Sequence, residues 1–128
     1  MLMNIRLELG RTTEFPNGDK SHGYEFVAPL TSDGHVDPEA WAIHKEACTV
    51  RHFRRDQDEQ WGLLRHVGHG WRFDYDRKDD SDDERVFKLD RHVISPGLYV
   101  SITEHDGIQR PFKIASVTPV VAARPRPR

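Results

Sequence analysis

The segment Ile94–Val117, ISPGLYVSITEHDGIQRPFKIASV, decides the fold. After Pro96-Gly97 it alternates Leu98, Val100 and Ile102 with Tyr99, Ser101 and Thr103. That period of two marks a strand with one buried face. His105-Asp106-Gly107 turns the chain, and the return strand carries Phe112 and Ile114. The length of the turn sets the register. A two-residue Asp106-Gly107 turn would put Val100 against Lys113 and Ile102 against Pro111, mixing core and solvent on one face. A three-residue loop puts Val100 against Phe112 and Leu98 against Ile114, with Tyr99–Lys113 and Ser101–Pro111 outward. Gly107 then takes the left-handed position that closes such a loop. The three-residue loop is the expectation, with Leu98, Val100, Ile102, Phe112 and Ile114 in the core. Pro111 has no amide hydrogen, so its strand should be an edge or carry a bulge.

The rest of the chain supplies shorter strands that add to this hairpin. Met3, Ile5, Leu7 and Leu9 alternate with polar residues, and Tyr24, Phe26 and Ala28 share a face within Tyr24–Leu30. Pro16-Asn17-Gly18 is a turn sequence. One helix is expected at about residues 38–47, with Asp37 capping it and Pro38 in the first helical position. Trp41, His44 and Cys48 form its apolar stripe, flanked by Ala40, Ile43 and Ala47. Cys48–Arg55 reads as a strand, and Arg54–Glu59 as a charged connection. A second hairpin, Gln60–Asp76, is expected to turn at Gly68-His69-Gly70. That turn sets Val67 against Trp71, Arg65 against Phe73 and Leu63 against Tyr75. Further on, Phe87 and Leu89 are expected to share a face.

These elements give a mainly β (α+β), mostly antiparallel fold. The preferred architecture is a highly curved sheet or small, partly open β-barrel, with the helix plugging one end. The 128 residues leave room for one core. A single domain over 1–119 is expected, with a mobile acidic loop at 76–84 and a disordered basic Pro/Arg tail at 120–128.

The chain resembles a family of small bacterial proteins of unknown function. The resemblance rests on EFPNGDKSHGYEFVAPL (Glu14–Leu30), DGHVDPEAW (Asp33–Trp41), WRFDYD (Trp71–Asp76), PGLYVSITEHDG (Pro96–Gly107) and FKIASV (Phe112–Val117). It implies a whole-chain cytoplasmic domain. That family has no established activity, so no residue role carries over.

Composition excludes more than it assigns. Hydrophobic content is 36%, charged content 31% and the net charge −2, so nothing draws the whole molecule to nucleic acid or an acidic membrane. The single cysteine, Cys48, rules out an internal disulfide and reads as a core residue. No apolar run reaches membrane-spanning length, and the N-terminus lacks the core of a signal peptide. A cytoplasmic protein is the expectation.

Eight histidines invite a metal reading, because histidine and carboxylate suit zinc or another first-row ion. His22, His35 and His66 are the candidate ligands, although no HExxH or CxxC spacing supports them. The Asp76–Phe87 tract fails as a calcium loop, since Lys78 stands at a ligand position and Phe87 where a glutamate belongs. Ser101, His105 and Asp106 are neighbours in sequence without forming a triad, and no nucleophile elbow is present. No catalytic residue, no cofactor and no enzymatic activity is therefore expected. Arg51, His52, Arg54 and Arg55, with Arg124, Arg126 and Arg128 of the tail, could contact single-stranded nucleic acid. The low net charge counts against that partner, and Trp71, Phe73 and Tyr75 read as core. The leading expectation is a non-enzymatic binding or assembly domain, with a protein partner or second copy added along a sheet edge. A metal-binding protein or metal-dependent enzyme is the alternative, and a single-strand binder the next.

Overall fold

In a computed structural model, which describes residues 1–68, 70–76, 78 and 81–120, the Ile94–Val117 hairpin has the three-residue loop. Val100 pairs with Phe112, Tyr99 with Lys113 and Ser101 with Pro111. The Glu104 N–H donates to the Ile108 carbonyl at 3.0 Å, and the Gly107 N–H to the Glu104 carbonyl at 2.8 Å. Gly107 has φ 81°, which closes the loop without strain. Leu98 departs from the expectation and is 47% exposed. Gly97 at φ 93° and a bond from the Leu98 N–H to the Ser95 carbonyl hold Leu98 in a turn ahead of the strand.

Eight strands follow one another around a closed antiparallel barrel. They are β1 (Leu2–Leu9), β2 (Asp19–Pro29), β3 (Thr49–Arg54), β4 (Gln57–Val67), β5 (Gly70–Asp74), β6 (Glu84–Val86), β7 (Tyr99–Thr103) and β8 (Gln109–Pro119). The barrel closes where β8 pairs with β1; Ala115 is an extra residue there, between the pairs Arg6–Ser116 and Leu7–Ile114. Pro111 is accordingly not on an edge strand. Its carbonyl accepts from Gly10 at 2.9 Å, just past the end of β1, so its missing amide hydrogen falls where no partner strand remains. Closure also removes the free sheet edge on which a partner was expected to add.

Helix α1 (Pro38–Ile43) starts as expected, with Asp37 Oδ1 accepting from the amides of Glu39 and Ala40. It stops four residues early, and a 3-10 turn at Lys45–Ala47 follows. The expected stripe does not form. Within α1 only Trp41 is buried, while Ile43 is 78% exposed. Trp41 enters the end of the barrel, where its Nε1–H donates to the Leu64 carbonyl at 3.0 Å and its ring meets Trp71 edge-on. One aromatic anchor replaces the stripe.

Two registers differ from the sequence reading. β3 and β4 join at a tight Arg55-Asp56 turn with Asp56 at φ 59°, so Arg54–Glu59 is hairpin and not a connection. In the next hairpin Val67 pairs with Gly70, His66 with Trp71 and Leu64 with Phe73. The Val67–Gly70 pair makes the connection one residue shorter than expected; His69 lies outside the described residues. The shift by one puts Leu64 inside with Phe73 and leaves Val67 exposed. Beyond β6, Phe87 is exposed and Leu89 buried, because a 3-10 turn at Leu89–Arg91 breaks the pleat. The acidic loop 76–84 falls partly outside the described residues, and so does the basic tail 120–128 beyond Val120. Among the described residues no helix is long and apolar enough to cross a membrane.

The barrel interior changes character from one end to the other. At the α1 end the inward positions are apolar: Ala28 and Phe26 on β2, Val50 on β3, Val86 on β6. Toward the opposite mouth the same alternating positions become Tyr24 and His22, His52, and Glu84. The hairpin does the same, with Ile102 followed by Glu104 and Phe112 preceded by Arg110. This polar mouth holds the site.

Candidate functional site

His52 is the centre of the mouth and is fully buried. It faces Tyr24 across β2 and β3, and the two rings stack at 4.2 Å with 13° between their planes. Its Nδ1 lies 3.2 Å from Glu84 Oε1 and its Nε2 lies 3.3 Å from Glu104 Oε2. Both contacts are close, but neither nitrogen is aligned for a hydrogen bond. His22, two residues before Tyr24 on the same inward face, directs Nε2 to Glu104 Oε2 at 2.8 Å. Its place depends on Gly23. A Cβ there would sit 1.9 Å from the Leu7 carbonyl oxygen, so only glycine lets β2 approach β1 this closely.

Two carboxylates are thus buried in one barrel end, which is costly unless both are compensated. Glu104 accepts from Tyr24 Oη at 3.1 Å and from Arg110 Nη1 at 2.9 Å in addition to its imidazole contacts. Burial alone would raise its pKa, but the hydrogen bond with His22 and the neighbouring His52 imidazole outweigh that and hold it well below the usual carboxylate range. Glu84 accepts from Tyr75 Oη at 2.7 Å and from the His105 N–H at 3.0 Å. Among the described residues no lysine or arginine reaches it. Burial first, and then the charges of the two glutamates, push the Tyr24 and Tyr75 hydroxyls far above their ordinary value, so both remain neutral donors.

Arg110 is shared further, donating to Asp106 at 3.0 Å and to Glu14 at 3.2 Å. One guanidinium therefore serves Glu14, Glu104 and Asp106, while Glu84 has none. The mouth is short of positive charge. It opens into a cleft of about 320 Å³ lined by His22, Glu104, His105, Arg110 and Arg54, among others.

His22, His52 and Glu104 each offer a ligand atom, and these atoms all lie within 4.8 Å of one another. Metal bonds of about 2.0–2.1 Å in a tetrahedron require ligands roughly 3.3 Å apart, so these atoms would shift by up to about 1.5 Å relative to one another to close on an ion. Glu84 stands behind His52, on the ring nitrogen that faces away from the would-be ion. A carboxylate in that position fixes the tautomer and raises the basicity of a metal-bound histidine.

Of the expected ligands, the fold brings His22 alone into this group. His35 lies at the opposite end, in the turn after β2, where its N–H donates to Thr31 Oγ1. His66 is also at that end, stacked on Trp71 at 4.2 Å and 9°. His52, considered for nucleic acid, is core instead. Arg51 and Arg55 are ion-paired, Arg51 with Glu25 and Glu59, Arg55 with Asp19. Ser101, His105 and Asp106 do not assemble a triad: Ser101 faces Pro111, and Asp106 is held by Arg110. Cys48 is buried, and burial pushes its thiol up to about 11. Sequence reading missed His52, Glu84, Glu104 and Arg110. The signal was in the hairpin, where Glu104 and Arg110 continue the inward stripe past Ile102 and Phe112.

No family model, curated protein or solved structure matches the chain.

Proposed function

We propose that this protein binds a divalent first-row transition metal at the polar mouth of its barrel, through His22, His52 and Glu104. The observation that carries the reading is the fully buried His52 imidazole, which has no aligned hydrogen-bond partner and points Nε2 at the oxygen that His22 also approaches. An ion there would supply the missing positive charge, satisfy His52 Nε2 and leave Nδ1–H for Glu84. Two imidazoles and one carboxylate suit zinc best among abundant ions. Three protein ligands leave a fourth position, and the cleft is the route to it. A small molecule taken up there makes this a binding domain, which keeps the non-enzymatic reading; activation of a bound water would be the enzymatic extension. A cytoplasmic setting belongs to the same proposal, with the single buried cysteine in its support.

Calorimetric titration of untagged, chelator-treated protein with zinc tests the proposal. One ion per chain is expected. Glu84→Gln should weaken binding by about 10–100-fold, the usual effect of losing an outer-shell partner, and His22→Ala should weaken it further. His22 lies at the rim, so its variant should fold even where a His52 variant does not. Absence of binding, or equal affinity in His22→Ala, would refute the assignment.

A further inference from the structure

The opposite end of the barrel carries a second feature, independent of the metal reading. Arg65, Arg72 and Arg85 stand directly opposite one another on the outer face, Arg65 paired with Arg72 and Arg72 with Arg85 across β4, β5 and β6. Like charges in such positions destabilise a sheet. Arg65 is answered by Asp74 at 3.6 Å and Arg72 by Asp83 at 3.4 Å. Among the described residues, no carboxylate lies within ion-pair distance of Arg85, Lys88 or Arg91. These three border a groove of about 560 Å³ in which Asp90 is the one acidic residue among the described lining residues.

The groove also has an aromatic wall. Phe87 is half-exposed, and Lys88 Nζ stands 5.0 Å from its ring centroid. Lys88 has φ 48°, a conformation non-glycine residues rarely adopt. His92 Nε2 meets the Phe87 carbonyl at 3.0 Å and ties down the same turn. Trp71 is part of the groove lining, and among the described residues its buried Nε1–H has no acceptor. Three cations with no carboxylate in ion-pair distance among the described residues, beside a half-exposed ring that Lys88 covers on one face only, describe a site for a planar group carrying phosphate.

We propose that this groove binds a nucleotide unit, as a free nucleotide or within a strand, with the base stacked on Phe87 and the phosphates of a strand held one each by Arg85, Lys88 and Arg91. Stacking on an aromatic side chain beside unpaired arginines tolerates any base, as single-strand binding does. The surface is not the one that the Arg51–Arg55 run suggested, whose arginines Arg51 and Arg55 are already paired. The net charge of −2 hides it, because that figure sums the whole chain.

Fluorescence anisotropy of a labelled oligothymidine, with thymidine monophosphate as competitor, separates a strand from a free nucleotide. Binding of the oligomer is expected at low salt, with a log–log salt slope of about −2 for three phosphates at roughly 0.7 each on a single strand. The Arg85→Ala/Arg91→Ala variant should lose at least about tenfold in affinity and flatten the slope by about 1.4. Phe87→Ala should weaken binding with the slope unchanged. Competition by the monophosphate at concentrations comparable with those of the oligomer would assign a free nucleotide; competition only at large excess would assign a strand. No binding of either at low salt, or undiminished binding by the double arginine variant with an unchanged melting curve, would overturn the proposal. His22→Ala should bind the oligomer like the parent, so loss of the metal site and loss of this one are read separately.

Discussion

Tyr24 and His52 stack face to face at 4.2 Å while the Tyr24 hydroxyl donates to Glu104, one of the two glutamates between which His52 lies. The tyrosine thus holds the imidazole from one side and one of its carboxylates from another. Tyr24→Phe keeps the stacking and removes one donor to a buried carboxylate. It should cost about 1.5–3 kcal/mol, the usual range for a hydrogen bond to a charged group. Tyr24→Ala also removes the ring and should cost roughly 3–5 kcal/mol, as large aromatic truncations do. Urea unfolding of the two variants measures the difference; equal costs would show that the stacked ring adds nothing beyond its hydroxyl, and a Tyr24→Phe variant as stable as the parent that the hydroxyl contributes nothing.

Two glycines separate strain from collision. Gly107 has φ 81° but open space around the position of a Cβ, so Gly107→Val should cost on the order of 1–3 kcal/mol from backbone strain alone. Gly107→Asn should recover most of it, because asparagine tolerates the left-handed region. Gly23→Ala has no such remedy, since its methyl would meet the Leu7 carbonyl at 1.9 Å. Thermal melts should rank Gly23→Ala as the more damaging. An unchanged melting temperature for Gly107→Val would contradict the loop assignment.

Asp83 gives the protein a pH dependence of known sign. Burial, and then the charge of Asp74, push its carboxyl from 3.8 up to about 6, with Arg72 opposing. The folded state therefore holds this proton more tightly than the unfolded chain does. Its stabilising contribution is complete below the unfolded value and is lost as the pH rises through about 6. Asp83→Asn should be more stable than the parent above that window and close to it below. Denaturant midpoints measured on both sides of the window check this; a gain confined to the acid side would reverse the sign.

The sequence disclosed the fold through alternation and turn chemistry. Gly107, Pro16-Asn17-Gly18 and the Asp37 cap each act locally, so each could be read without knowing its neighbours. The β4–β5 register could not, because Gly68-His69-Gly70 permits a two- or a three-residue turn and both flanking strands are mixed. The helix stripe failed for a related reason: Ile43 and Ala47 have helical spacing, but the barrel end admits only Trp41. The site was the least legible part. Glu84 and His52 lie on two strands and Glu104 just past the end of a third, all distant in sequence, and only the folded barrel brings them together. Glu104 and Arg110 were within reach, since a stripe that ends in a facing acid and base marks a polar interior.

The central claim is a metal ion held by His22, His52 and Glu104. X-ray absorption at the zinc edge, on untagged protein loaded with one equivalent, tests it most directly. The account predicts two imidazoles and oxygen donors at about 2.0–2.1 Å, with one imidazole lost in His22→Ala. A spectrum with no imidazole, or with the same number of imidazoles in parent and variant, would contradict it.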